Sequence, residues 1–128
     1  MVFDDRLFDT LQAHLRKRDF KSIRRVRNSL ITVDGAVIRV AATESNSKGE
    51  WKVNWRGKDG LDESGIDAYL FMLLGVPGTS QALYLIFPAP LKLSAMRFSF
   101  RTLLKVYAGN IDAWETLREV TRKAIPAA

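Results

Sequence analysis

The chain has 128 residues, a common size for a single domain, and its 47% hydrophobic and 27% charged residues exclude a disordered polyelectrolyte. Its net charge of +6, from 20 basic and 14 acidic residues, favours polyanionic partners or an acidic surface. The lack of cysteine excludes disulfides and thiolate metal sites, and a single histidine, His14, leaves few routes to zinc or Ser-His chemistry.

No apolar run approaches the ~20 residues a membrane helix needs. The opening Met1-Val2-Phe3-Asp4-Asp5-Arg6 lacks the basic start and apolar stretch of a signal peptide. The expectation is one α/β domain over residues 1–128, cytoplasmic and not associated with a membrane.

Residues 5–18 are predicted helical. Leu7, Leu11 and Leu15 recur at four-residue spacing with Phe8 on the same flank, and acidic residues precede a basic end, as the helix dipole favours. Residues 21–27 hold the densest basic cluster, Lys21, Arg24, Arg25 and Arg27. A solvated loop or helix end accounts for it, and so does a phosphate-contacting patch.

Residues 29–33 and 36–42 flank Asp34-Gly35, a dipeptide suited to a two-residue turn with positive φ at both positions, so a β-hairpin is predicted. A polar connection, 44–49, leads to residues 50–56. That segment alternates, with Trp51, Val53 and Trp55 on one face and Lys52, Asn54 and Arg56 on the other. A loop is expected over 57–65, followed by two largely buried strands, 67–74 and 82–87, the second ended by Pro88 and Pro90. Residues 96–101 alternate as a last strand, with a helix as competitor that would align Arg97, Arg101 and Lys105. The tail 111–123 is amphipathic, with Asn110 as its cap and Trp114, Leu117 and Val120 facing inward. The sheet is expected to be mainly antiparallel or mixed.

Pairing the second strand of the hairpin with the Trp-containing strand, Thr43 opposite Glu50, brings Ile38, Val40 and Ala42 together with Trp51, Val53 and Trp55 on one face. The opposite face then collects Arg39, Ala41, Thr43, Glu50, Lys52, Asn54 and Arg56. It is either a solvated sheet face or a polyanion-binding or degenerate catalytic one.

A leading helix is followed by Ser-Leu-Ile-Thr-Val-Asp-Gly-Ala-Val-Ile-Arg-Val-Ala-Ala-Thr (29–43) and Trp-Lys-Val-Asn-Trp (51–55). Asp-Ala-Tyr-Leu-Phe (67–71), Tyr-Leu-Ile-Phe-Pro (84–88) and a Trp-containing helix complete the series. In pattern and order, from about residue 5 to residue 120, this resembles the restriction-endonuclease-like PD-(D/E)XK superfamily. The resemblance implies a mixed sheet carrying an acid and, on the next strand, acid-x-Lys: carboxylates that hold Mg²⁺ and a lysine that assists the attacking water. Position by position, the first acid falls on Asn28 or Ser29 and the acid-x-Lys on Arg39-Val40-Ala41, a set that cannot hold a cation.

A literal version of the motif lies one strand later, Asp34 with Glu50-Trp51-Lys52, although acid-x-Lys arises about once by chance in such a chain. In the predicted register Asp34 lies roughly 30 Å from the partner of Glu50, too far to share one ion. Lys52 would also sit across from Ala41, in a position to replace the missing lysine.

Gly75-Val76-Pro77-Gly78 is a turn rather than a phosphate loop, and Asp62, Glu63 and Asp67 form an acidic cluster suited to a solvated loop or a cation. His14 is expected at the surface or in packing, and Trp51, Trp55, Trp114, Tyr69 and Tyr84 in the core. The functional expectation is a catalytically degenerate nuclease-fold protein that binds DNA or RNA, or serves a nucleic-acid-processing assembly. Its phosphate contacts would be Arg24, Arg25, Arg27, Arg39, Lys52 and Arg56, with no cofactor. The alternatives are a protein-interaction subunit and a Mg²⁺-dependent nuclease using Asp34, Glu50 and Lys52.

Overall fold

The structure is a computed structural model in which residues 2–54, 65–91 and 95–124 are described. The Leu7, Leu11 and Leu15 stripe forms α1 (Asp5–Lys17), capped by the Asp4 carboxylate, which accepts from the Leu7 amide at 2.9 Å. A three-stranded meander follows: β1 (Ile23–Arg27), β2 (Leu30–Val33) and β3 (Ala36–Glu44). Asp34 (φ 48°) and Gly35 (φ 88°) close the β2–β3 turn with both residues in the left-handed region, as the dipeptide predicts. The basic cluster 21–27 is therefore mostly an edge strand, not a loop or helix end. A bulge between Arg25 and Arg27 disturbs its ladder.

The second edge of β3 is taken by β5 (Ala68–Leu74) in parallel, with Ile38 opposite Ala68 and Glu44 opposite Leu74. β6 (Leu83–Pro88) pairs antiparallel with β5 and completes a five-stranded sheet of order β1-β2-β3-β5-β6. β4 (Glu50–Asn54) does not extend β3. It pairs with β7 (Ala95–Ser99) in a separate two-stranded ribbon, with Trp51 opposite Phe98 and Val53 opposite Met96. The expected Thr43–Glu50 hairpin register is thus replaced, because β2 and β5 already occupy both edges of β3. The Thr43 hydroxyl ties the end of β3 to β4, donating to the Lys52 carbonyl at 3.0 Å.

Two apolar layers result, one on each face of the large sheet. On the first, α1 and α3 (Trp114–Ala124) cover Ile31, Val33, Ile38, Val40, Ala42, Leu70, Met72 and Ile86. On the second, Trp51, Val53, Met96 and Phe98 of the ribbon, with Leu103 of α2 (Phe100–Val106), cover Tyr69, Phe71, Leu73, Leu85 and Phe87. Trp51 and Val53 are buried as expected, but on the face opposite Ile38 and Val40; Trp55 lies outside the described residues.

The segment predicted as a strand over 96–101 turns from strand to helix at Phe100, where the Ser99 hydroxyl accepts from the Thr102 amide at 3.2 Å. The closing helix packs through Trp114, Leu117 and Thr121, with Val120 half-buried. Asn110 does not cap it. It ends a short 3₁₀ turn, Ala108–Asn110, and donates through Nδ2 to the Ile86 carbonyl at 3.0 Å. With the Asp112 amide donating to the Tyr84 carbonyl at 2.7 Å, this closes off the outer edge of β6. No helix among the described residues is long and apolar enough to cross a membrane.

Candidate nucleic-acid interface

Strand parity decides where each predicted cation points. Arg24 lies opposite Thr32, which lies opposite Val37; Arg27 lies opposite Leu30. Val37 and Leu30 pack against the second apolar layer, so Arg24 and Arg27 are on the ribbon side of the sheet. Both are exposed, and neither forms an ion pair among the described residues.

Arg25 points the other way. It pairs with Asp5, donates to the Phe3 carbonyl and the Asn28 carbonyl, and stacks over the Phe3 ring at 5.3 Å. It fastens the start of α1 to the edge strand.

Arg39 alternates away from Ile38 and Val40 as predicted, but that face is not solvent. Arg39, between Leu30 and Tyr69 in the ladders, is only 1% exposed, with Nη1 donating to the Ser29 hydroxyl at 3.1 Å. Arg56 lies outside the described residues, as do Asp62 and Glu63. Asp67 uses its carboxylate on the Val37 amide at 2.7 Å.

Lys52 is exposed on the outer side of β4, since Trp51 and Val53 take the inner side. Directly opposite it in the ladder stands Arg97, also exposed, a pairing absent from the predicted set because the strand partner of β4 was assigned differently. The Arg97 Nε lies 3.7 Å from a Glu50 carboxylate oxygen.

The shifted metal motif is not assembled. Asp34 sits at the start of β3, where its carboxylate accepts from the Lys21 amide at 3.0 Å and the Ser22 amide at 2.7 Å. Glu50 sits beyond the other end of β3, its amide bonded to the Asn46 side chain at 3.0 Å. Nine residues of strand, about 30 Å, separate the two ends. No group of three His, Asp or Glu side chains suited to a metal ion occurs among the described residues. The positions matched to the nuclease motif do converge: Ser29 and Arg39 are hydrogen-bonded, and the Val40 amide donates to the Ser29 carbonyl at 2.9 Å.

The helical side differs in charge. α1 sets Asp5 and Asp9 against Arg6, Arg16 and Lys17, and α3 sets Glu115 and Glu119 against Arg118, Arg122 and Lys123. A cleft of about 430 Å³ beside α3 is lined by Pro88, Glu115, Thr116, Glu119, Val120 and Lys123, a mixed surface unsuited to a polyanion.

His14 packs on Tyr84 with ring centroids 5.0 Å apart. Burial, with Arg18 and Lys17 nearby, holds its pKa below the usual 6.5 against the opposing pull of Asp112. Burial and the same Asp112 push the Tyr84 phenol up to about 12. These groups belong to the packing of α1 on β6, as expected for His14.

No protein-family model matches the chain, and no curated protein sequence matches it.

Proposed function

We propose that this protein binds nucleic acid through the ribbon side of its sheet, as a catalytically degenerate member of the restriction-endonuclease-like superfamily. The observation that carries the reading is the placement of Arg24, Arg27 and Lys52. All three are exposed cations on the side that α1 and α3 leave free. Cations without local carboxylate partners keep their field for an external polyanion, and phosphate contacts of this kind supply most of non-specific affinity.

The resemblance supports the degenerate assignment. The positions that would carry the metal-binding acids hold Ser29 and Arg39, which bond to each other, and the lysine position holds Ala41. A guanidinium at the metal position repels Mg²⁺.

The test is a salt titration by fluorescence anisotropy with a short labelled duplex and an equally long single strand, together with a cleavage assay in Mg²⁺ or Mn²⁺. Weak binding that falls steeply with salt, without cleavage, is the expected result. Absence of binding at 50 mM salt overturns the reading in favour of a protein-interaction subunit. Metal-dependent cleavage lost on Glu50→Gln or Lys52→Gln revives the nuclease.

A further inference from the structure

The ribbon carries more positive charge than the sequence pattern singles out. In β4 and β7 the residues facing the core are Trp51, Val53, Met96 and Phe98, so Lys52 and Arg97 project outward side by side. Directly opposed side chains in an antiparallel pair have Cβ atoms about 4.5–5.5 Å apart, and like charges there destabilise the ladder. Glu50 relieves only Arg97, and at 3.7 Å.

Helix α2 continues the surface. Its inward positions Phe100 and Leu103, with Tyr107 just after its end, are on the second apolar layer; Arg101 and Lys105, four residues apart, are exposed. The helix contains no carboxylate. Because ribbon and α2 lay their apolar sides on the same sheet face, their outer sides look the same way. Ser99 joins β7 to α2 and fixes Arg97 relative to Arg101.

We infer that Lys52, Arg97, Arg101 and Lys105 form a phosphate-contacting surface for the backbone of duplex nucleic acid, separate from the position of the degenerate catalytic site. The inference rests on the nucleic-acid reading above and names the elements that carry it.

Duplex is favoured over single strand by the aromatic residues. Single-strand binders stack unpaired bases on exposed rings. Among the described residues every Phe, Tyr and Trp is buried or half-buried, and the exposed large apolar side chains are the aliphatic Val2, Val26, Leu104 and Val106.

The experiment uses the full chain with a labelled 20-bp duplex, a 20-nucleotide single strand and poly-glutamate. The variants are Arg97→Gln, the pair Arg101→Gln with Lys105→Gln, the pair Arg24→Gln with Arg27→Gln, and Arg97→Lys. Expected are tighter duplex than single-strand binding and a salt slope on duplex reduced by about 0.9 for Arg97→Gln and about 1.8 for the α2 pair. Arg97→Lys restores the slope, and melting curves confirm that the variants fold.

Unchanged slopes for Arg97→Gln and the α2 pair, with a reduced slope for the Arg24 and Arg27 pair, overturn this inference while leaving the broader reading intact. Tighter single-strand binding also overturns it, and poly-glutamate binding as tight as duplex binding points instead to an acidic protein partner. Binding to neither nucleic acid at 50 mM salt removes the broader reading and this inference together.

Discussion

Replacing Trp51 by Leu tests the arrangement that puts the basic ribbon on its own sheet face. Trp51 is fully buried, its indole Nε1 donates to the Leu74 carbonyl at 2.7 Å, and its ring lies 6.0 Å from Phe98 and 6.2 Å from Phe100. The Leu74 carbonyl still receives the Ser45 amide at 3.1 Å, so the lost bond leaves no orphan acceptor and costs about 0.5–1.5 kcal/mol. Two aromatic contacts at about 0.5–1.5 kcal/mol each, and a void in a close-packed layer, bring the total to about 2–5 kcal/mol. For a chain of this size that is a fall in Tm on the order of 10–20 °C, measured by circular dichroism.

The location of the loss is the sharper readout. A double-mutant cycle with Phe98→Leu should show a coupling of about 0.5–1.5 kcal/mol, because the two rings touch. A cycle with Val40→Ala should be additive within about 0.5 kcal/mol, because the sheet lies between those residues. Coupling to Val40 and none to Phe98 would refute the two-layer arrangement and restore a β3–β4 hairpin.

Three further outcomes follow from the same contacts. His14 has a folded-state pKa below 6.5, so the stability it contributes is fully present above that pH and declines as pH falls through 6.5 towards the folded value; His14→Gln should flatten the dependence of Tm on pH between 7.5 and 5.5. Arg25→Ala should lower stability by about 1–2 kcal/mol through the lost stack on Phe3 and the lost carbonyl contact, while Arg24→Ala leaves Tm nearly unchanged; equal Tm values for the two variants would contradict the assignment of Arg25 as a fastener of α1. Lys52→Thr should raise stability by about 0.2–1 kcal/mol, because it removes a like-charge pair and adds a β-branched residue, and should weaken duplex binding in the same titration.

The candidate interface is partly legible in the sequence because exposure follows alternation. Alternation in its own strand turns Lys52 outward, and Arg24 and Arg27 of the densest basic cluster are likewise exposed. Arg25 and Arg39 were misplaced for a common reason. A charged residue on the non-core side of a strand is free only if nothing packs there, and neither the contact of Arg25 with the start of α1 nor the burial of Arg39 leaves a local trace. Arg97 was missed as a partner of Lys52 because the strands that pair are 45 residues apart in sequence.

Local chemistry by itself determined α1, the Asp34-Gly35 hairpin and the apolar strands around Tyr69 and Ile86, since leucine spacing, positive-φ turn residues and unbroken apolar runs act within a few residues. Only the tertiary structure decided the partner of β4. Alternation in Glu50–Asn54 requires one buried face but is the same whether that face joins β3 or lies across the sheet on Phe71 and Leu85. The choice fell to β5, whose residues Ala68 to Leu73 are buried on both faces and so require an interior position in the sheet, which leaves β4 to pair with β7.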